Sequence, residues 1–484
     1  GVQTGFSQIA MSDRNKPLNT REMTELLIEG VLNNNTTLAG ITTNQAAYQY
    51  LVDQGLKPNI NTDWADVILR RGKFSQYDIS ASGGNDKTTF FTSAGYYKQD
   101  ATVRDQGFER ANVRLRLKHK ASNRLSINVG MAPNFQKLST IGNAGLGANP
   151  IRSLNRLVPW VAPYNANGSY TAITYNPEIV RKENRYDTRI YAFLGDIGAE
   201  FKILPGLSAE SKMAIDMSFT DDYRFWSPLW VDAASVKGRA AEYTSLLISW
   251  NITNLLRYSK QLGDFSLNAT LGQEAQKFTS KYISTQADGF AQSDLYTLAS
   301  AATPFVAWSS QAASSLVSYF LNTSINYQRK YYLNLTGRID GSSRFGRNVR
   351  YAKFGSIGLA WNLDQEDLIR DLGFIDMLKL RASYGTSGNQ ASDLYGVLGV
   401  YTTSGSYNNS PAYSISQIEN ANLTWEKNNP FDIGFEFGVL DNRLTGSFDY
   451  YRRVTSDLLM DAPISATNAA GTALGPDQTF TTPK

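Results

Sequence analysis

Between residues 430 and 459 the chain alternates strictly between apolar and polar positions. Phe431, Ile433, Phe435 and Phe437 are interleaved with Asp432, Gly434 and Glu436, a turn follows at 440–442, and Leu444, Gly446, Phe448 and Tyr450 then alternate with Thr445, Ser447, Asp449 and Tyr451. Side chains of a strand point to opposite faces with period two, so this is a hairpin with one aliphatic and aromatic face and one polar face. The same period recurs upstream. Residues 77–83 turn at 84–86 into 88–97; Val113, Leu115 and Leu117 oppose Asn112, Arg114, Arg116 and Lys118; Leu125, Ile127, Val129 and Met131 oppose Ser126, Asn128 and Gly130. Further strands are predicted near 190–201, 207–218, 245–258, 265–277, 317–327, 331–338, 351–361 and 378–385, with a helix-like linker over 364–377. Ahead of them lie a short alternating segment to about residue 11, a helix capped by Asn19 and Thr20, and a long loop to residue 73.

Roughly fifteen strands result, and their connections alternate strictly between long and short. Meandering strands with long loops at one end and short turns at the other are the layout of an outer-membrane barrel. The predicted fold class is therefore all-β, a transmembrane antiparallel β-barrel with long extracellular loops and short periplasmic turns. The apolar face then meets lipid, because a closed barrel satisfies its backbone groups between strands. The polar face lines a lumen, with Arg114, Arg116, Asn334, Thr336, Arg338, Asp432 and Glu436 pointing inward. A water-soluble sandwich would place the same side chains in bulk water, but it does not account for the loop asymmetry. No linker divides the 484 residues into smaller domains.

Composition narrows the chemistry. Charged residues make up 19% of the chain, the net charge is +4, and no Lys/Arg block forms a phosphate-tracking stripe, which argues against a nucleic-acid partner. With no cysteine, disulfides, thiolate metal sites and cysteine nucleophiles are excluded. No stretch approaches the roughly 18 apolar residues of a membrane-spanning helix. The single histidine, His119, lies between Lys118 and Lys120 and reads as solvated. Asp221 and Asp222 lack the partner spacing of acid–base or calcium sites. The stretch Asp340-Gly341-Ser342-Ser343 lacks the glycines and lysine of a phosphate loop and reads as a turn. No catalytic residue, metal or cofactor is expected. The candidates for substrate or lid contact are aromatic residues in the long loops: Trp160, Tyr164, Tyr170 and Tyr175 in one, Tyr223, Trp226 and Trp230 in another, Trp308 and Tyr407 in two more. Rings with flat apolar faces and polar tips suit sugar stacking and protein interfaces; the competing reading is loop self-packing or an aromatic girdle. Trp250, Trp361 and Tyr331 are assigned to the lipid face or girdle.

Several stretches resemble the SusC-like (SusC/RagA) branch of the TonB-dependent outer-membrane transporters of Bacteroidetes. They are Asn61-Thr62-Asp63-Trp64 followed by YDISASGG at 77–84, DGSSRFG at 340–346, LKLRASYGTSGNQ at 378–390, and NLTWEKNNPFDIGFEFGVLDNRLTGSFDYYRRVTSDLL at 422–459. The resemblance implies a 22-stranded barrel closed by a plug that imports glycans, peptides or other large nutrients. The implied partners are a SusD-like surface lipoprotein acting as a lid, the TonB complex, the lipid bilayer, and an oligosaccharide or peptide substrate. It starts at the first barrel strand, so residues 1–484 are expected to form a partial barrel domain, about the first two-thirds, with the plug, the TonB box, the N-terminal domain and the last strands outside it. Such a piece needs partner strands at both edges. The alternatives are a passive porin-like barrel or a scaffold barrel in a larger envelope complex.

Overall fold

The computed structural model describes residues 1–9, 16–34, 38, 40–140, 149–154, 156–391, 393–463 and 479–482. Its strands are β1 (Val2–Ser7), β2 (Gly72–Gly84), β3 (Thr88–Asp100), β4 (Gly107–Lys120), β5 (Leu125–Ser139), β6 (Arg185–Leu204), β7 (Leu207–Trp226), β8 (Arg239–Leu262), β9 (Phe265–Asp288), β10 (Thr303–Tyr327), β11 (Tyr331–Ser342), β12 (Tyr351–Asn362), β13 (Ile375–Gly385), β14 (Ser387–Asn389), β15 (Val400–Tyr407), β16 (Ser410–Gln417), β17 (Glu426–Val439), β18 (Leu444–Ser456), β19 (Met460–Pro463) and β20 (Thr479–Thr482). Helices α1 (Thr20–Leu32), α2 (Asn44–Asp53), α3 (Trp64–Ile68), α4 (Pro150–Ser153), α5 (Pro177–Lys182), α6 (Val231–Ala234) and α7 (Asp367–Arg370) all lie in connections.

One antiparallel meander runs β1 through β13 and on to β17 and β18, with the short β14 continuing β13 alongside β17. Thirteen strands plus two give fifteen in the meander, the number expected from the period. Among the described residues, β1 pairs only with β2 and β18 only with β17. The predicted helix after Asn19 is α1, closed by a capping box between Asn19 and Glu22. The turn between β10 and β11 places Gln328 and Arg329 at φ 52° and 58°, the pair of left-handed residues of a type I′ hairpin.

Two expectations are corrected. The connections do not alternate strictly: between β12 and β13, at the short-turn end, lie a 3₁₀ turn at Leu363–Gln365 and helix α7. The strands β7 to β10 also run well past their predicted ends, to 20, 24, 24 and 25 residues. A strand needs only about 9–11 residues to cross the hydrocarbon. Beyond that band both faces meet water or loops, so the two-residue contrast fades, as in Glu242-Tyr243-Thr244 and Trp308-Ser309-Ser310.

One face carries an exposed apolar band. On β7 it runs over Leu207, Ala209, Met213, Ile215, Met217 and Phe219 and ends at Asp221, which sits opposite Arg189 of β6. Phe135, Tyr191 and Phe219 form an aromatic row along one border, with ring centroids 5.2 and 6.3 Å apart. At the short-turn end Phe265, Tyr327, Tyr331 and Trp361 form a second row across β9 to β12, at 4.5, 6.2 and 5.8 Å. Glu366, from the connection before α7, fastens that row by accepting from Tyr331 Oη at 2.7 Å and Trp361 Nε1 at 3.1 Å. An apolar band between two aromatic girdles is the outer surface of a membrane barrel. Tyr331 and Trp361 lie in the expected girdle, and Trp250 shares the outer face with Ile248 and Ile252.

The long connections fold over the opposite face. Leu316 of β10 and Phe354 of β12 point to it and pack against a buried cluster of Phe345, Leu423 and Trp425 from the connections after β11 and β13. Trp425 Nε1 donates to the Arg350 carbonyl at 3.0 Å. A second cluster joins the first connection to the one after β5: Asp63 caps α3 through the Ala65 amide, and buried Trp64 donates to the Val158 carbonyl at 3.0 Å. The Asn-Thr-Asp-Trp stretch is thus a structural clasp between loops.

Candidate functional site

The residues expected to line a lumen share the polar face of the sheet, on strands well separated from one another. Arg114 and Arg116 project from β4, Asn334, Thr336 and Arg338 from β11, Asp432 and Glu436 from β17, each in register with inward neighbours. Arg338 is bound to Asp340 at 2.7 Å and to Ser318 at 2.9 Å, and its guanidinium lies 5.4 Å from the Phe320 ring. Arg381 bridges Glu436 at 3.7 Å and Asp449 at 2.6 Å. Arg257 pairs with Glu210, and Lys212 with Asp196 at 3.5 Å. Most of this wall is self-neutralising.

The predicted aromatic contacts divide into three groups. Tyr164, Tyr170, Tyr175, Trp226 and Trp230 are packed into one another: Tyr164 and Tyr170 at 5.5 Å, Tyr175 and Trp230 at 5.8 Å, and all but Tyr164 around Ile179 and Val180 of α5. Trp230 is only 1% exposed, and Trp160 is half-buried. The phenol of Tyr164 donates to Glu178, which Arg181 also holds at 2.7 Å, while Arg181 reaches Asp105 at 2.5 Å. Burial works to raise the Glu178 carboxyl, but the hydrogen bonds from Arg181 and Tyr164 outweigh it and hold it below the usual carboxylate range. The Tyr170 phenol is pushed well up by burial and by its bond to Glu183 at 2.7 Å. These groups tie residues 164–183 of the connection after β5 to one another and, through Asp105, to the connection after β3.

Tyr223 and Trp226 lie on β7 and not in a loop, and on opposite faces. Tyr223 turns outward, donates to the Tyr296 carbonyl and, with Phe225, is covered by Phe290 and Tyr296 from the connection after β9. Tyr407 ends β15 at the tip of a two-stranded hairpin opposite Ser410; its side chain lies outside the described residues.

Trp308 is also on a strand, β10, and it faces the lumen at the long-loop end with 54% of its surface exposed. Its ring meets the edge of Tyr282 at 5.4 Å, Tyr282 stacks on Tyr243 at 6.4 Å, and the Arg224 guanidinium sits 5.0 Å from the Tyr243 ring, steadied by Asp222 at 2.7 Å. Three inward rings on β8, β9 and β10 with a cation beside them form an aromatic shelf at the mouth. Sequence reasoning missed Tyr243, Tyr282 and Arg224. Their register with Trp308 could have revealed them only had the strands been extended that far.

A family model described as "TonB dependent receptor-like, beta-barrel" matches residues 30–483. The chain is 29% identical over 427 residues to TonB-dependent receptor P3 of Formosa agariphila, covering 84% of this chain and 42% of that protein. It is 26% identical over 452 residues to TonB-dependent receptor SusC of Bacteroides thetaiotaomicron, covering 84% and 43%. The solved structure of the RagAB peptide importer in the "closed-closed" state superposes with a TM-score of 0.79 at 21% identity, over 100% of this chain and 56% of that one. The chain spans less than half the length of these curated relatives.

Proposed function

This chain belongs to the TonB-dependent receptor-like β-barrel family of the outer membrane, and from that premise we propose that it forms the wall of an energised SusC/RagA-type importer of nutrients too large for passive pores. Substrate is captured at the mouth beneath a SusD-like lipoprotein and passes along the polar wall when the TonB complex drives the barrel open. The observation that carries this reading is the aromatic shelf of Tyr243, Tyr282 and Trp308. It presents open ring surface inward, at the long-loop end, where a captured oligosaccharide or peptide would first meet the wall. The chain's own residues bind and orient; no bond is made or broken. In the full-length protein, Trp308→Ala is expected to weaken capture of a cognate oligomer by about tenfold, as loss of one stacking anchor does at other interfaces. Uptake of labelled oligomer by cells with and without TonB checks the larger reading. Uptake that persists without TonB would instead indicate a passive pore, and no uptake at all a scaffold.

A further inference from the structure

Strand β4 carries five inward cations; four of them, Arg110, Arg114, Arg116 and Lys118, have only Asn112 between them, Lys120 lies at the turn, and among the described residues none makes an ion pair. Elsewhere on the wall the inward Arg257, Arg338 and Arg381 are each held by a carboxylate, and Arg453 is held by Asn428. The register explains the difference. On β3 the residues opposite the four cations are Tyr97, Ser93, Phe91 and Thr89, and on β5 those in the same rows are Gln136, Ala132, Gly130 and Asn128, all uncharged. The nearest acids are engaged elsewhere. Asp196 leans across Gly130, whose absent Cβ leaves it room, but binds Lys212; Asp78 leans across Gly95 and accepts from Gln76 at 2.7 Å. The Arg110 Nε is buried without a hydrogen-bond partner. A trough of about 470 Å³ runs beside Arg110, Arg114 and Arg116, with Asp196 on its far side.

We propose that this ladder is a track for an anionic oligosaccharide, one bearing carboxylate or sulfate groups along its length. The proposal rests on the import reading and adds the class of substrate. Alternate residues of a strand lie about 6.8 Å apart, so from Arg110 to Lys118 the ladder extends roughly 27 Å, close to the depth of the hydrocarbon layer. Rows of unpaired Arg and Lys in a low-dielectric pore select anions and raise their local concentration, and guanidinium forks match carboxylate and sulfate geometry. An extended peptide is disfavoured as the occupant. Strand addition, one common way of gripping an extended peptide, needs a free sheet edge, and β4 is hydrogen-bonded on both sides, to β3 and β5. The shelf at Trp308 supplies ring-stacking surface at the mouth of the same wall.

The test uses the full-length protein in liposomes, without energisation, and measures binding of hexagalacturonate, neutral maltohexaose and hexaglutamate to the native protein and to the double variant Arg114→Gln/Arg116→Gln. Hexagalacturonate is expected to bind best, to lose at least about tenfold in affinity in the variant, and to lose most of its salt dependence there, while maltohexaose is unaffected. Equal binding of hexagalacturonate by both proteins would overturn the proposal, as would preference for hexaglutamate. A variant that leaks a large neutral dye without substrate would also overturn it, since the arginines would then seat a protein segment that closes the lumen. Binding of this kind is independent of TonB. A result in which hexagalacturonate binds as expected but its uptake is unaltered by TonB loss would sink the import reading alone.

Discussion

Leu335→Arg is expected to destabilise the membrane-embedded protein by about 2–4 kcal/mol, whereas Asn334→Arg, one residue earlier, is expected to change stability by less than about 1 kcal/mol. Leu335 sits on the outer face, between Thr323 and Ile357 of the flanking strands, four positions along β11 from the girdle residue Tyr331. That places it near the middle of the band running from Tyr331 to Ile339, where an arginine has no water and no counter-charge. Asn334 points to the lumen beside Ser324 and Gly358, and the glycine leaves space for a longer side chain in a wet environment. Urea titration of the two variants in liposomes reads the difference. A soluble β-sandwich would show no such asymmetry, because both arginines would reach water.

The second large effect is expected at Trp425. The ring is 3% exposed and lies 5.0 Å from Phe345 and 5.6 Å from Phe354, and its indole nitrogen is satisfied by the Arg350 carbonyl. Trp425→Ala removes the largest side chain of the cluster that pins the connections after β11 and β13 to the inner wall, at a cost of about 3–5 kcal/mol if the site does not collapse. The loss should be local. Hydrogen exchange over 386–425 is expected to speed up by two to three orders of magnitude, while the amides of β6 to β8, which pair with their neighbours away from this cluster, keep their protection. Uniform acceleration through the whole sheet would show that the loop cluster holds the barrel wall and not merely its own lid.

The barrel was legible because lipid imposes a contrast that water does not. Inside the hydrocarbon, an outward polar residue is costly and an inward apolar one wasteful, so the runs at 113–117, 431–437 and 444–450 announce both the strand and its two unlike faces, with Arg114, Arg338 and Glu436 sharing the polar one. Above the girdle that contrast disappears. Tyr223, Trp226 and Trp308 read as loop residues for that reason, although hydrogen bonding to neighbouring strands carries β7 and β10 through them. The fate of loop aromatics was even less visible. Nothing local to Tyr164 tells that its partner is Glu178, nor to Trp230 that it packs on Ile179 and Val180, whereas Trp308 is left open. The unpaired state of the β4 ladder depends on which residues face it from β3 and β5, and so on register, which a one-residue slip would invert.

On this architecture the apolar face of the sheet meets lipid and the polar face a water-filled lumen. This facing is tested most directly by a nitroxide scan of residues 431–439 in the full-length protein reconstituted in liposomes, reading collision rates with oxygen and with a water-soluble nickel chelate at each site. Oxygen access peaking at 431, 433, 435 and 437, with chelate access peaking at 432, 434 and 436, is the predicted result. Chelate access at the odd positions equal to that at the even ones would contradict the account, because both faces of the hairpin would then stand in water.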